Sequence, residues 1–308
     1  MRIEPANPEA IREAAAAIRD GGLAVIPTET VYGLACNALN VEAVRRVFEI
    51  KGRPAENPLI VHISEFSEIG SVAASWPDDC AKLAERFWPG PLTVVLPRKS
   101  SVPRETTGGL DTVAVRIPDH PVALELIRAA GVPVAAPSAN RFGGLSPTSA
   151  EDIDARIGAS VLMVLDGGRC EVGLESTVID LSGDCPRILR PGGVKRAQVQ
   201  AVVGRPLGHH PPPDVKRSPG MYQRHYAPEA RLEMVAELAE GQAGLTFGDD
   251  PGTGQIKMPA DPAAYAASLY RALRKLDEEG AGTIYVETPP TDPDWEAVHD
   301  RLKKASAS

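Results

Sequence analysis

With 308 residues, 43% hydrophobic and 24% charged, the chain has a globular composition and enough length for two domains and a substantial core. Its net charge of −8 argues against a general, salt-driven grip on nucleic acid, although a local basic patch stays open. The opening MRIEPANPEA has no apolar signal-peptide core, no run reaches the length of a membrane span, and four cysteines show no CxxC pairing; the cytoplasm, reduced thiols and neither membrane nor structural zinc are therefore expected.

Residues 8–20 have the periodicity of an amphipathic helix, with Ile11, Ala14, Ala15 and Ile18 on one face and Asp20-Gly21-Gly22 ending it. Residues 23–26 follow as a buried strand that runs into Pro27-Thr-Glu-Thr-Val-Tyr-Gly33. That polar strand end is where open α/β sheets place ligand contacts, though hydroxyls there also serve as turn and cap residues. Val41, Val44, Val47 and Phe48 recur at helical spacing, and the strand 59–63 comes after Lys51-Gly-Arg-Pro-Ala-Glu-Asn-Pro58. Gly52, Pro54 and Pro58 stop the helix and stiffen the loop. Lys51 and Arg53 are expected as two cations on an exposed turn, suited to an anion with spread charge. By itself the loop reads more readily as ordinary surface charge.

A helix over 78–87 leads to Trp88-Pro-Gly-Pro91 and the strand 92–96, with Trp88 read as a packing residue. Residues 100–111 lack periodicity and read as a mobile loop. In the strand 112–118, Arg116 sits in an apolar context and needs a partner, either a structural carboxylate or a bound anion. A helix over 121–130 and a strand 132–136 precede the polar loop Pro137–Pro147, which carries Ser138, Asn140, Arg141 and Ser146. Helix 149–157, strand 161–165 and strand 187–190 complete a first domain to about residue 205. Proline-flanked strands favour a mixed, twisted open sheet flanked by helices over a simple doubly wound one.

Residues 206–228 are proline-rich, yet Ser218-Pro-Gly-Met-Tyr-Gln-Arg-His-Tyr-Ala-Pro228 is too rich in aromatic and basic groups for a bare spacer. Residues 229–308 then give strands 231–235, 243–247 and 282–287 with helices 261–279 and 294–304, a small Rossmann-like α/β domain. His209-His210 is weak evidence for a metal.

There is no Walker loop, no strand-borne GxGxxG, no HExxH and no GxSxG elbow. What stands out is a surplus of cations and hydroxyls at or near strand ends, with few general bases. This composition fits a polyphosphate and a small zwitterion, with catalysis by positioning and charge stabilisation.

Pro27-Thr-Glu-Thr-Val-Tyr-Gly-Leu34, Lys51-Gly-Arg53 with Asn57-Pro58, Trp88-Pro-Gly-Pro91-Leu-Thr93 and Pro137-Ser-Ala-Asn140 together resemble the Sua5/YrdC family of threonylcarbamoyl-AMP synthases. Ser218-Pro-Gly-Met221 and His225-Tyr-Ala-Pro228 resemble the linker of its longer, Sua5 type, which adds a C-terminal domain. The resemblance implies a nucleotidyltransferase that joins L-threonine, bicarbonate or CO₂ and ATP. The products are threonylcarbamoyl-AMP and pyrophosphate, and partner proteins pass the group to tRNA as t6A. It implies Lys51 and Arg53 as catalytic phosphate binders. Asn57, Thr112, Ser138, Asn140, Ser146, Arg190 and Tyr226 would be the further ATP contacts, Tyr226 closing over the nucleotide. Thr30, His62, Arg116 and Ser176 would surround threonine, Arg116 holding its carboxylate. Mg²⁺ is implied as cofactor, without assigned protein ligands. A weak direct contact with tRNA is left open, and a non-catalytic RNA-binding YrdC-like module is the rival. The charge balance disfavours it: 22 Lys and Arg against 25 Asp and Glu through residue 205, and 11 against 16 beyond. A carbamoyl transferase resembling hydrogenase maturation ranks last, because no acylphosphatase-like or zinc-finger segment accompanies the chain.

Overall fold

The computed structural model describes residues 1–208, 224–249 and 251–307. Two units of helix and sheet result, and the first grows from an antiparallel pair of strands within residues 24–37.

Asn7 accepts from the backbone amides of Glu9 and Ala10, and Pro8 supplies a preset first turn, so α1 runs Pro8–Arg19 after the edge strand β1 (Ile3–Pro5). β2 (Ala24–Ile26) turns back antiparallel into β3 (Gly33–Asn37), a strand that the polar motif concealed. Asn40 caps α2 (Val41–Lys51), and Gly52 at φ +61 ends it with Lys51 as the last helical residue. There follow β4 (Ile60–His62), α3 (Asp78–Phe87), β5 (Leu92–Pro97), β6 (Thr112–Arg116), α4 (Pro121–Ala130) and β7 (Val134–Ala135). The short α5 (Ala155–Ala159), β8 (Val164–Asp166), β9 (Thr177–Asp180), β10 (Arg187–Arg190) and α6 (Arg196–Val203) complete this part. Where a helix was expected over 149–157, a 3₁₀ turn at Ala150–Asp152 precedes α5.

The ten strands form one mixed sheet in the order β1-β8-β2-β3-β7-β4-β6-β5-β9-β10. Alternation sorts its side chains: Ala24, Ile26 and Ala35 join Ile11, Ile18, Leu126 and Ile127 on the α1/α4 face. Val25, Leu34 and Cys36 join Val44, Val47 and Leu83 on the other. Trp88 packs near Phe66, ring centroids 6.3 Å apart, and donates to the Leu92 carbonyl at 2.7 Å, as a packing residue would.

Residues 100–111 are not a mobile loop. Thr106 is buried, its hydroxyl donates to the Ala38 carbonyl at 2.7 Å, and its carbonyl receives the Leu59 amide at 2.9 Å. Gly108, at φ +60, lies so close to the Glu56 carbonyl that a Cβ would approach it to 2.5 Å. The segment braces the 53–58 loop from behind, a long-range role that local periodicity does not encode.

A second, fully parallel sheet contains β11 (Arg231–Val235), β12 (Gly244–Thr246), β13 (Gln255–Lys257) and β14 (Thr283–Glu287) in the order β11-β14-β12-β13. Asp261 caps α7 (Pro262–Glu278), and α8 (Glu296–Ala305) ends the description. Tyr265, Leu269, Leu273, Val298 and Leu302 cover this sheet, and Val31, Leu145, Leu174 and Tyr226 belong to the same apolar cluster. The core of the small sheet is therefore continuous with the first unit. Among the described residues no helix is long and apolar enough to cross a membrane.

Candidate active site

The parallel strands β4 and β6 place His62 and Arg116 directly opposite each other at their C-terminal ends. Both are buried. The Arg116 guanidinium donates to Thr30 Oγ1 at 3.0 Å and to the Gly90 carbonyl at 3.1 Å, and its Nη2 stands 2.5 Å from Glu29 Oε1. Its expected partner is thus an internal carboxylate. That pair is close but poorly aligned: neither Glu29 oxygen nor Arg116 Nη2 makes a well-directed hydrogen bond. Burial, and then the Arg116 charge, push the His62 imidazole down to about 3. It is neutral at pH 7, and a neutral ring whose Nδ1–H donates to the Val134 carbonyl (3.3 Å) leaves Nε2 as an acceptor.

From the neighbouring strands, Ser176 precedes β9 and its hydroxyl pairs with Thr93 Oγ1 at 2.8 Å. Arg190, at the end of β10, donates to the Ser176 carbonyl at 3.0 Å and to its hydroxyl at 3.1 Å. Thr30, Arg53, His62, Arg116, Ser138, Ser176, Arg190 and Tyr226 all line one cavity of about 40 Å³, with room for a few waters.

Lys51 and Arg53 are not on an exposed turn. Lys51 is 3% exposed and Arg53 7%. Lys51 Nζ donates to the carbonyls of Ser138 (2.6 Å) and Asn140 (2.5 Å), and Arg53 donates to those of Asn57 (3.2 Å) and Pro58 (2.8 Å). The prolines and the 100–111 segment fold the loop inward, and carbonyl oxygens supply what bulk water would have given the cations. Burial, and then the Arg53 charge, push the Lys51 ammonium well below its usual pKa. An arriving anion would restore it. Lys51 and Asn140 also line a larger hollow of about 560 Å³ with Phe142, Asp152 and Arg274.

Tyr226 closes the cavity from the far side. It is fully buried and, among the described residues, the only non-glycine with positive φ (60°), a backbone that L-residues adopt at some cost. Its neighbour His225 lies edge-on at 4.1 Å, and Tyr270 stacks at 6.1 Å. The segment is pinned by His225 N to the Lys304 carbonyl (3.2 Å) and Ala227 N to the Gly143 carbonyl (2.9 Å). Burial chiefly, with the nearby Arg53, Lys51 and Arg190 charges opposing Glu175, brings His225 down to about 3. The earlier part of the Ser218–Pro228 motif, Ser218-Pro-Gly-Met221, and His209-His210 lie outside the described residues.

The family model described as "Telomere recombination", Sua5_yciO_yrdC, matches residues 16–192. A second, described as "Threonylcarbamoyl-AMP synthase, C-terminal domain", matches residues 194–307. The chain belongs to the Sua5/YciO/YrdC family. It is 43% identical to a protein of Pyrococcus abyssi named threonylcarbamoyl-AMP synthase, across 96% of this chain and 94% of that one. The protein of that name from Bacillus subtilis is 40% identical, over 97% and 94%. The crystal structure of P. abyssi Sua5 complexed with L-threonine matches with a TM-score of 0.90 at 41% identity, covering 99% of this chain and 96% of that chain.

Within this Sua5-family fold, not every expected residue reaches the cavity. Thr112 stands at the opposite end of β6 from Arg116, about 13 Å away along the strand, and does not line it. Asn57 is wholly buried behind Arg53, its side-chain amide without a hydrogen-bond partner. Ser146 gives its hydroxyl to Glu175 Oε1 at 2.6 Å. Residues that the sequence did not single out for a role complete the site: Thr28 and His225 line the cavity, while Tyr270 and Arg301 bind its wall at Glu175. One signal pointed to Arg301. It falls on the apolar stripe of α8 with Val298, Leu302 and Ala305, where a charge requires a buried partner.

Proposed function

We propose that this chain is a threonylcarbamoyl-AMP synthase of the long Sua5 type. The free amine of L-threonine adds to CO₂ with loss of a proton, or reacts with bicarbonate with loss of water, to give a carbamate. The resulting carbamate oxygen attacks the α-phosphorus of ATP, and pyrophosphate leaves. This makes the enzyme a nucleotidyltransferase as well as a carbamate-forming ligand site. One observation carries the reading: a single enclosed cavity presents a buried guanidinium with an under-satisfied edge, Arg116, together with the separate buried cations Arg53 and Arg190. The first suits the threonine carboxylate, with Thr30, His62 and Ser176 around the rest of the amino acid. The second pair, with Lys51 beside Ser138 and Asn140, suits phosphates.

As it stands, the cavity of about 40 Å³ does not admit ATP. Nucleotide binding there would need the cavity to widen, and a movement of Tyr226 and His225, which line it, would open it and on return exclude water from the reacting phosphate. Among the described residues no group of three or more His, Cys, Asp and Glu gathers as a metal site. Glu29 stands 2.5 Å and Glu175 2.7 Å from an arginine nitrogen. The described residues do not form a resident Mg²⁺ site, and Mg²⁺ would sit on the ATP phosphates as part of the substrate. The product would pass, in the cytoplasm, to proteins that transfer the threonylcarbamoyl group to tRNA as t6A.

The test mixes protein, MgATP, bicarbonate and L-threonine and follows pyrophosphate. Release that requires threonine is expected; release indifferent to threonine rejects the assignment.

A further inference from the structure

Arg301 is among the largest fully buried side chains of the molecule, and it comes from α8, outside the strand ends that build the cavity. Its Nε donates to Glu175 Oε2 at 2.7 Å, and its Nη1 donates to the Pro191 carbonyl at 3.0 Å and to Asp300 Oδ2 at 2.6 Å. Its guanidinium carbon stands 4.8 Å from the centroid of the Tyr226 ring. Tyr270, from α7, donates to Glu175 Oε2 at 3.0 Å, and Ser146 donates to Oε1 at 2.6 Å. Glu175 itself lines the cavity and immediately precedes Ser176, the residue that Arg190 grips.

We infer that Arg301, seconded by Tyr270, is a positioning residue for nucleotide binding: it neutralises Glu175 at the cavity wall and holds that carboxylate away from Arg190. The inference rests on the ATP reading above. A naked carboxylate beside a polyphosphate would repel it strongly in a medium of low dielectric. Without Arg301, Glu175 must either take a proton or turn to the next cation, and Arg190 already acts on it through its field. Either course disturbs the Ser176–Arg190 corner and removes the charge that faces Tyr226. The second unit is then a working wall of the site. Of the residues placed around threonine only Ser176 belongs to that corner; Thr30, His62 and Arg116, which hold the carboxylate end, make no hydrogen bond to Arg301, so threonine binding depends on it less than ATP binding does.

The experiment uses the full chain with Arg301→Met, Arg301→Lys, Tyr270→Phe and the double variant Arg301→Met/Glu175→Gln. ATP affinity is measured directly by calorimetry, alongside KM and kcat for threonine-dependent pyrophosphate release. Arg301→Met should weaken ATP binding on the order of tenfold or more, with kcat at saturation and threonine affinity changed less than about threefold. Glu175→Gln in the same chain should recover most of the loss, because the repelling charge is gone. Arg301→Lys should recover part of it. A folded Arg301→Met with unchanged ATP affinity, or a double variant weaker than the single, overturns the inference. Should Arg301→Met fail to fold, Arg301→Lys and Tyr270→Phe decide: weakened ATP binding with threonine affinity intact supports it, and unchanged ATP binding in both overturns it. A wild-type chain that binds ATP yet shows no threonine-dependent turnover breaks the proposed reaction while leaving this comparison of affinities decisive.

Discussion

Two buried arginine–glutamate pairs each put one member on the same cavity, Arg116 from one and Glu175 from the other, and they are built to different ends. Arg116 and Glu29 both belong to the ten-stranded sheet unit, 2.5 Å apart, yet the carboxylate oxygens find no well-directed donor. Arg301 and Glu175 join the two units, and Glu175 also accepts from Ser146 and Tyr270. Burial pushes the Glu175 carboxyl up, but the Arg301 and Arg190 charges and the donated hydrogen bonds overcome it and bring it down to about 2. An under-satisfied pair can exchange its anion for a ligand's carboxylate at small loss. Where the carboxylate itself is saturated, as at Glu175, it cannot, although Arg301 Nη2 is as unpartnered as Arg116 Nη2, and the pair acts as a joint.

The sharpest way to break this contrast is Arg116→Ala. If Arg116 receives the threonine carboxylate, its removal should lower threonine affinity by about 100-fold or more, read by calorimetry with L-threonine. Retained affinity would make Arg116–Glu29 just another structural pair. Stability should rank the pairs in the opposite order. Glu175→Gln should cost about 2–4 kcal/mol in urea unfolding, because it unbalances a saturated, buried joint. Glu29→Gln should cost about 1 kcal/mol, because little hydrogen bonding is lost. Equal losses would mean that the alignment difference carries no energy.

Acid sharpens the same picture through the histidines. His62 and His225 are held near 3 in the folded chain against 6.5 unfolded. Above pH 6.5 neither state binds the proton, so they add no pH dependence there. Between pH 6.5 and 3 the unfolded chain binds protons that the folded one refuses, and stability falls as pH falls. The slope is at most about 1.4 kcal/mol per pH unit for each histidine. His225→Phe should flatten the unfolding midpoint's fall between pH 6.5 and 4. An unchanged slope would mean that His225 titrates normally.

How much of this could be read from sequence follows the range of the forces involved. α3 and α4 coincide with expectation at both ends, because apolar spacing and flanking prolines are local signals. β3, Gly33–Asn37, escaped because this short segment behind the polar Thr28–Thr30 stretch has no alternation of its own and becomes a strand only against β2 and β7, and the edge strand β1 only against β8. Strand-end hydroxyls and arginines announced the cavity, since a cation between apolar residues has few other uses. Their burial did not announce itself: Lys51 and Arg53 look like surface charges until loops about 50 and 90 residues away supply carbonyls and cover. The Arg301–Glu175 joint spans 126 positions, and nothing local at Glu175 foretells it.

The smallest predicted effect concerns Thr112. Thr112 stands beside Pro97 at the start of β6, while the cavity lies at the end that carries His62 and Arg116. A strand keeps its side chains about 3.3 Å apart per residue, so Thr112 cannot reach a ligand bound at Arg116 without the sheet breaking. A long nucleotide could still extend past the buried 53–58 loop toward the start of β6. Thr112→Val, which keeps shape and removes only the hydroxyl, separates the two geometries. ATP affinity within about twofold of the wild type places the nucleotide wholly on the Arg190–Tyr226 side. A loss near tenfold, the size of one hydrogen bond to a charged group, would extend its path along the outer side of the Lys51–Arg53 loop.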